Sequence, residues 1–78
     1  MNIICFGEAE VNKIYKIECL EMKNKNIKTQ LEKLGFLKNE NIQLLKYNYG
    51  KKSYLIKVMG INYAIDKSVC DEIFVKDE

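Results

Sequence analysis

The stretch that decides the fold is residues 53–65, which reads SYLIKVMGINYAI. In its first half, Tyr54, Ile56 and Val58 fall at every second position, the spacing typical of a strand with one buried face. Gly60 supplies the conformational freedom for a tight reversal. Beyond it the alternation resumes at Ile61, Tyr63 and Ile65. The stretch therefore predicts a strand over residues 53–59, a reversal over 60–62 and a strand over 61–65.

Three further strands are predicted on either side of this hairpin. They cover residues 11–19, 42–49 and 73–75, which are rich in β-branched and aromatic side chains. The polar residues 48–52 predict a hairpin loop. A single helical turn through Cys70 is expected just before the last strand.

One segment shows helical spacing. Its apolar stripe falls at i, i+4 and i+7: Ile27, Leu31 and Leu34. Asn26 or Asn24 is the expected N-cap, because an asparagine oxygen can accept a hydrogen bond from a free backbone N–H. Gly35 is expected to end the helix in the left-handed conformation. Phe36 and Leu37 are expected to fold back onto the same stripe.

Five short strands joined by tight turns, with one helix after the first strand, predict a mainly β architecture. A small, partly open barrel of SH3-like type is the expected form, because curling a sheet hides its edges. With 78 residues, 47% of them hydrophobic, the chain has enough material for one core. Residues 1–78 are therefore interpreted as a single domain.

The composition excludes several classes of activity. The chain has no histidine, arginine, proline or tryptophan, and all 13 basic residues are lysines. A Ser-His-Asp triad and a zinc helix both need histidine, and a bidentate phosphate clamp needs arginine. A chain this small can hardly enclose a substrate and keep a core. We therefore interpret the protein as a non-enzymatic binding module without a cofactor.

The cysteines favour a reducing compartment. Cys5, Cys19 and Cys70 are odd in number and form no CxxC pair, unlike the framework of a small secreted domain. They are separated by 14 and 51 residues, which matches no familiar spacing of metal ligands. Burial as small hydrophobic side chains is therefore favoured over a metal site. The chain shows neither a signal peptide nor a membrane-spanning run. A cytoplasmic location without membrane insertion is expected.

Four tyrosines are candidates for docking a partner protein. They lie in the central predicted strands: Tyr47, Tyr49, Tyr54 and Tyr63. Aromatic side chains on a barrel surface can form a groove for a protein ligand. The alternative is that the rings cover the edge of the core.

Nucleic-acid binding is the alternative function. Lysines are interleaved with the tyrosines, at Lys46, Lys51, Lys52 and Lys57, and such a pattern can stack bases and contact phosphates. The sequence pI of about 8.4 is below the basic balance of dedicated binders. Nucleic acid is therefore not the favoured partner.

The chain resembles the FeoA family of bacterial ferrous iron uptake. The resemblance is carried by residues 7–11 (GEAEV), 31–36 (LEKLGF), 41–45 (NIQLL) and 54–60 (YLIKVMG). It continues through Ala64, Ile65, Ile73 and Val75 and covers roughly residues 7–76. Basic residues are usual in the family where Gln30 and Asp66 stand here.

This resemblance implies an SH3-like domain that acts as an accessory to FeoB, the membrane permease for Fe²⁺ with an attached GTPase domain. On that reading the protein docks on FeoB in the cytoplasm and modulates it, without being the channel. No metal-ligand cluster is identified in the sequence, although transition-metal binding is compatible with the family. The sequence leaves open whether copies of the chain form a homo-oligomer.

Overall fold

A six-stranded antiparallel sheet, curled into a partly open barrel, dominates the structure. The structure is a computed structural model that describes residues 2–77. The strands are β1 (Asn2–Cys5), β2 (Ile14–Leu20), β3 (Asn41–Asn48), β4 (Ser53–Val58), β5 (Ile61–Asp66) and β6 (Ile73–Asp77). Helix α1 (Lys25–Lys33) follows β2, the short helix α2 (Lys67–Cys70) precedes β6, and a 3₁₀ turn covers Phe6–Glu8. The strand order is β1-β6-β2-β3-β4-β5, and the predicted mainly β architecture is confirmed.

The number of strands differs from the prediction of five. The additional strand is β1, which pairs with β6 at one edge of the sheet, so that α1 follows the second strand. A four-residue strand has little pattern of its own and depends on its partner strand for stability. The predicted start of the next strand at Val11 is also wrong. The backbone turns at Asn12, with φ of 70°, and regular pairing begins at Ile14.

The hairpin of β4 and β5 is confirmed, with unbroken antiparallel register from Ser53↔Asp66 to Val58↔Ile61. The reversal is one residue earlier than predicted. It is the two-residue loop Met59–Gly60, in which φ is 52° and 79°. Positive φ at both loop residues is the geometry whose twist matches that of the flanking strands.

Helix α1 is capped as predicted but is oriented differently. The Asn24 side-chain oxygen accepts hydrogen bonds from the backbone N–H groups of Asn26 and Ile27, at 3.0 and 3.2 Å, so the N-cap is Asn24. Gly35 ends the helix with φ of 104°. The expected apolar stripe is wrong at its last position, because Leu34 lies at the surface.

The residues after the helix also behave differently from each other. Phe36 is buried, as expected, whereas Leu37 is exposed. The left-handed turn at Gly35 directs only the Phe36 ring under the sheet. Neither α1 nor α2 of residues 2–77 has the length and hydropathy that crossing a bilayer requires.

The core fills the barrel. Its most completely buried side chains come from four of the six strands and from the segments that connect them: Phe6, Ile17, Phe36, Ile42, Ile56, Val58, Cys70, Ile73 and Val75. Alternation along β4 buries every second side chain, as the sequence predicts. The tyrosines of β3 and β4 lie where this core reaches the loop between those strands.

Candidate docking surface

A β-bulge in β3 decides where the tyrosines of that strand lie. The register with β4 shifts between Leu44 and Lys46, so that Leu44 opposes Ile56 while Tyr47 opposes Tyr54. The extra residue reverses the alternation of faces, since two residues of the bulged strand oppose one of its partner. The side chains of Ile42, Leu44 and Tyr47 therefore all belong to the inner face. The adjacent Leu44 and Leu45 are the sequence signal of this shift, which the prediction of an uninterrupted strand missed.

Three of the four candidate tyrosines form a continuous aromatic cluster. The ring centroids of Tyr47 and Tyr54 are 4.9 Å apart and those of Tyr47 and Tyr49 are 4.4 Å apart, both with edge-to-face geometry. We call Tyr47, Tyr49 and Tyr54 the tyrosine cluster. Burial falls steeply across the tyrosine cluster, from Tyr54, which is 5% exposed, to Tyr49, which is 82% exposed. Aromatic pairs in this geometry stabilise one another by roughly 0.5–1.5 kcal/mol beyond their burial.

Tyr54 is the anchor of the tyrosine cluster and does not itself present a surface. Its ring packs against Phe6 at a centroid distance of 6.1 Å. Its hydroxyl donates a hydrogen bond to the Gly7 carbonyl oxygen. Burial raises the pKa of the Tyr54 hydroxyl above its ordinary value of 10.0, which keeps the proton on the donor. Tyr54 therefore fixes Tyr47, and Tyr47 fixes the ring of Tyr49.

Gly7 lies very close to the Asp71 side chain at this anchor. A Cβ atom there would lie 1.7 Å from a carboxylate oxygen of Asp71. The missing side chain lets the 3₁₀ turn approach α2 closely, and the carbonyl of Gly7 is thereby presented to the Tyr54 hydroxyl.

Tyr63 lies apart from the tyrosine cluster. Its ring packs edge-to-face on Phe36 at 5.5 Å, and its hydroxyl is 3.5 Å from the Leu34 carbonyl oxygen. It is half-buried on β5 and joins that strand to the end of α1. The four candidates therefore do not line one groove, and Tyr63 covers the core edge.

A basic rim borders the tyrosine cluster. Lys51 and Lys52 lie in the loop after Tyr49, and the Lys67 backbone N–H donates to the Lys52 carbonyl at 2.9 Å. The Lys67 ammonium lies 3.0 and 3.1 Å from the two carboxylate oxygens of Asp71. That hydrogen bond raises the pKa of Lys67 above 10.5, so the amine stays charged. The side chains of Lys51 and Lys52 are exposed.

The three cysteines differ in how deeply they are buried. Cys70 is fully buried, as predicted, whereas Cys5 and Cys19 are half-buried. Within residues 2–77, no three side chains of histidine, cysteine, aspartate or glutamate come together as a group that could hold a metal ion.

Burial raises the pKa of the Cys70 thiol from 9.0 to about 12. A raised pKa means that the folded state keeps a proton that the unfolded state releases. Below pH 9 the thiol keeps its proton in both states, and its effect on stability is fully favourable. As the pH rises towards 12, the unfolded state loses this proton first, so the free energy of unfolding falls.

We expect Cys70 to be the slowest thiol to react with a thiol-exchange reagent in the folded protein at pH 8. The thiolate is the reactive form, and both burial and the raised pKa suppress it at Cys70. Peptide mass spectrometry after timed labelling measures the order of reaction, and labelling in urea is the control in which all three thiols react. Equal labelling rates for Cys5 and Cys70 in the folded state would contradict the burial.

Comparison with known proteins identifies close structural relatives. A family model described as the FeoA domain matches residues 6–77, whereas no curated protein matches. The zinc-complexed FeoA of Stenotrophomonas maltophilia, described as a prokaryotic SH3 domain protein, superposes with a TM-score of 0.80. That match has 22% identity and covers 91% of this chain and 87% of the other. The SH3-like fold predicted from the sequence is thus confirmed.

Two other structures extend the comparison. A FeoA-like protein from Clostridium acetobutylicum has a TM-score of 0.83, 16% identity and coverage of 97% of this chain and 87% of the other. The T. acidophilum protein IdeR has a TM-score of 0.82 and 14% identity, and the match covers 100% of this chain but 35% of that one. The same fold therefore occurs both as a small protein and as one part of a larger chain.

Proposed function

The chain belongs to the FeoA domain family, and from this premise we propose that it is a non-enzymatic accessory that docks on the FeoB permease. The family includes small proteins associated with ferrous iron transport. The docking site that we propose is centred on Tyr49, with Tyr47 beneath it. Docking would modulate transport or nucleotide turnover by the permease. The relative from Stenotrophomonas maltophilia is described as a candidate activating factor of ferrous iron transport, which agrees with a modulating role.

The observation that carries the proposal is the exposure of Tyr49. A tyrosine that is 82% exposed yet held by a neighbouring ring at 4.4 Å presents a large surface with little freedom left to lose. Binding hot spots are enriched in tyrosine for this reason, because ordering a flexible side chain costs affinity.

The charge of the basic rim indicates what kind of surface the partner would present. Lys51 and Lys52 are exposed beside Tyr49, so an acidic surface around an apolar pocket would complement them. Charges at the rim of an interface mainly raise the association rate, whereas the central aromatic ring supplies the affinity. The proposed site therefore combines one aromatic anchor with electrostatic steering.

We expect Tyr49→Ala to weaken binding to the cytoplasmic GTPase domain of FeoB by about tenfold or more. Tyr49→Phe should retain most of the affinity, since the ring makes the contact. Isothermal titration of the purified domains measures both. If Tyr49→Ala bound the GTPase domain with unchanged affinity, Tyr49 would not be part of the interface.

The matched control is Leu37→Ala, which removes another exposed apolar side chain, in a groove lined by Lys28 and Glu32 of α1. It should bind like the parent protein. The same variants are titrated against a single-stranded oligonucleotide at two salt concentrations. Binding to the oligonucleotide alone, with an affinity that falls steeply as the salt concentration rises, would show that the partner is nucleic acid and not the permease.

A further inference from the structure

We propose that the free edge of β5 pairs with the β5 strand of a second copy of this chain, forming a two-fold symmetric dimer through a continuous antiparallel sheet. β5 is the last strand in the sheet order, and among residues 2–77 no strand pairs with its other edge. The proposed surface includes neither Tyr47 nor Tyr49, although Ala64 lines a groove together with Lys51 of the basic rim, and the proposal does not depend on the proposed function.

The hairpin geometry determines which backbone groups face the free edge. A two-residue loop makes Val58 and Ile61 a hydrogen-bonded pair, and hydrogen-bonded pairs then recur at every second position along an antiparallel ladder. The backbone groups of residues 61, 63 and 65 therefore point to β4. Those of Asn62 and Ala64 point outward, where they are available to another strand.

This edge has few of the features that usually prevent pairing between molecules, and its one charged residue is Asp66 at the end of the strand. β5 is six residues long and its register with β4 is regular, in contrast to the shifted pairings of β2 with β6 and β3 with β4. It contains no lysine and no proline, and Ala64 at its centre is exposed. Edge strands in monomeric proteins are commonly protected by charges, prolines or bulges.

Pairing centred on Ala64 makes the two edges complementary. In that register Ala64 opposes its own copy, Tyr63 opposes Ile65, and Asn62 opposes Asp66, so that each side chain meets a partner on the same face. Within each chain Ala64 lies beside Leu55 of β4. An apolar row of leucine, two alanines and leucine would then cross the interface on the outer face.

The charges also match in this register. Lys57 is exposed on β4 directly beside Asn62. The Asp66 carboxylate of the second copy would lie on the other side of Asn62, on the same face and within reach of the long lysine side chain. By symmetry this opposite-charge pair occurs twice. A register shifted by two residues opposes Asp66 to Gly60 or to Ala64, depending on the direction of the shift, and either shift moves Asp66 away from Asn62 and loses both pairs.

The dimer is expected to be weak, because one pair of six-residue strands buries less than the roughly 1,200 Å² typical of stable interfaces. Sedimentation equilibrium of the whole chain should show the mass rising with concentration from 9.2 kDa towards twice that value. A mass that stays at 9.2 kDa up to millimolar concentration, or that grows beyond the dimer, would overturn the proposal.

Charge exchange at the two-fold axis tests the register. Ala64→Lys and Ala64→Glu should each be monomeric at concentrations where the parent protein dimerises, because like charges would face each other directly. An equimolar mixture of the two variants should dimerise again, through opposite charges. Thr29→Lys, which adds the same charge on the exposed surface of α1, should dimerise like the parent.

Unchanged thermal melting of the variants confirms that they are folded. Dimerisation of Ala64→Lys as strong as that of the parent, or a mixture that stays monomeric, would refute the pairing through Ala64. Either result would leave the docking role of Tyr49 untouched, since that residue is tested by titration with a different protein.

Discussion

Replacing Phe6 by alanine should lower the free energy of unfolding by about 3–5 kcal/mol, the cost observed when a fully buried phenylalanine is truncated. Phe6 is 0% exposed and packs edge-to-face against the rings of both Tyr15 and Tyr54, at 6.3 and 6.1 Å. It enters the barrel from the 3₁₀ turn between β1 and β2. Truncation would leave a cavity that two aromatic rings held by hydrogen bonds cannot fill by moving. Urea unfolding followed by circular dichroism measures the change.

The size of this effect is large for a chain of 78 residues, since small domains have only a few kcal/mol of net stability. Phe6→Leu keeps most of the buried volume and should remain folded if Phe6→Ala does not. Ile3→Ala is the control, because Ile3 is 53% exposed on the neighbouring strand β1 and should cost no more than about 1 kcal/mol. An unfolding midpoint for Phe6→Ala equal to that of the parent would show that the turn does not seal the barrel.

Phe6 also connects the core to the proposed docking surface. Its ring supports Tyr54, Tyr54 supports Tyr47, and Tyr47 supports Tyr49. The folded Phe6→Leu variant should therefore hold the ring of Tyr49 less firmly, and it should bind the proposed partner more weakly. The same aromatic contacts therefore connect the stability of this end of the barrel to the proposed docking surface.

Local patterns predict the parts of this fold that local chemistry determines. The alternation of β4 follows from the sequence because every second side chain must be apolar to face the core. The cap at Asn24 and the stop at Gly35 follow because their side chains, or the lack of one, satisfy the backbone within a few residues. Burial of Cys70 follows from its apolar neighbours.

The parts that depend on pairing between distant segments could not be read in the same way. β1 is a strand only because β6 lies beside it. The bulge after Leu44 leaves a weak trace in the sequence, yet it alone brings Tyr47 opposite Tyr54. Tyr63 is separated from the other tyrosines by its contact with Phe36, which the helix end positions. The sequence therefore identifies the tyrosines as candidates, but it does not show which of them lie together.

The orientation of α1 gives the second large effect. Leu31→Ala should lower the free energy of unfolding by about 2–5 kcal/mol, whereas Leu34→Ala should cost less than about 1 kcal/mol. The sequence places both leucines on one stripe, but Leu31 is 4% exposed and Leu34 is 42% exposed. Both substitutions remove the same atoms near the end of the same helix, Leu31 from its last turn and Leu34 from its C-cap position, and alanine is well tolerated in a helix. Their difference in urea unfolding therefore reports burial alone.

The contrast between the two leucines has a structural cause that the experiment examines directly. The helix ends at Lys33 and Gly35 turns the chain in the left-handed conformation, and beyond this turn Phe36 is buried in the core whereas Leu34 is exposed. Phe36→Ala should accordingly cost as much as Leu31→Ala or more, since the ring is 1% exposed. Equal losses for Leu31→Ala and Leu34→Ala would mean that the helix presents the whole stripe to the core.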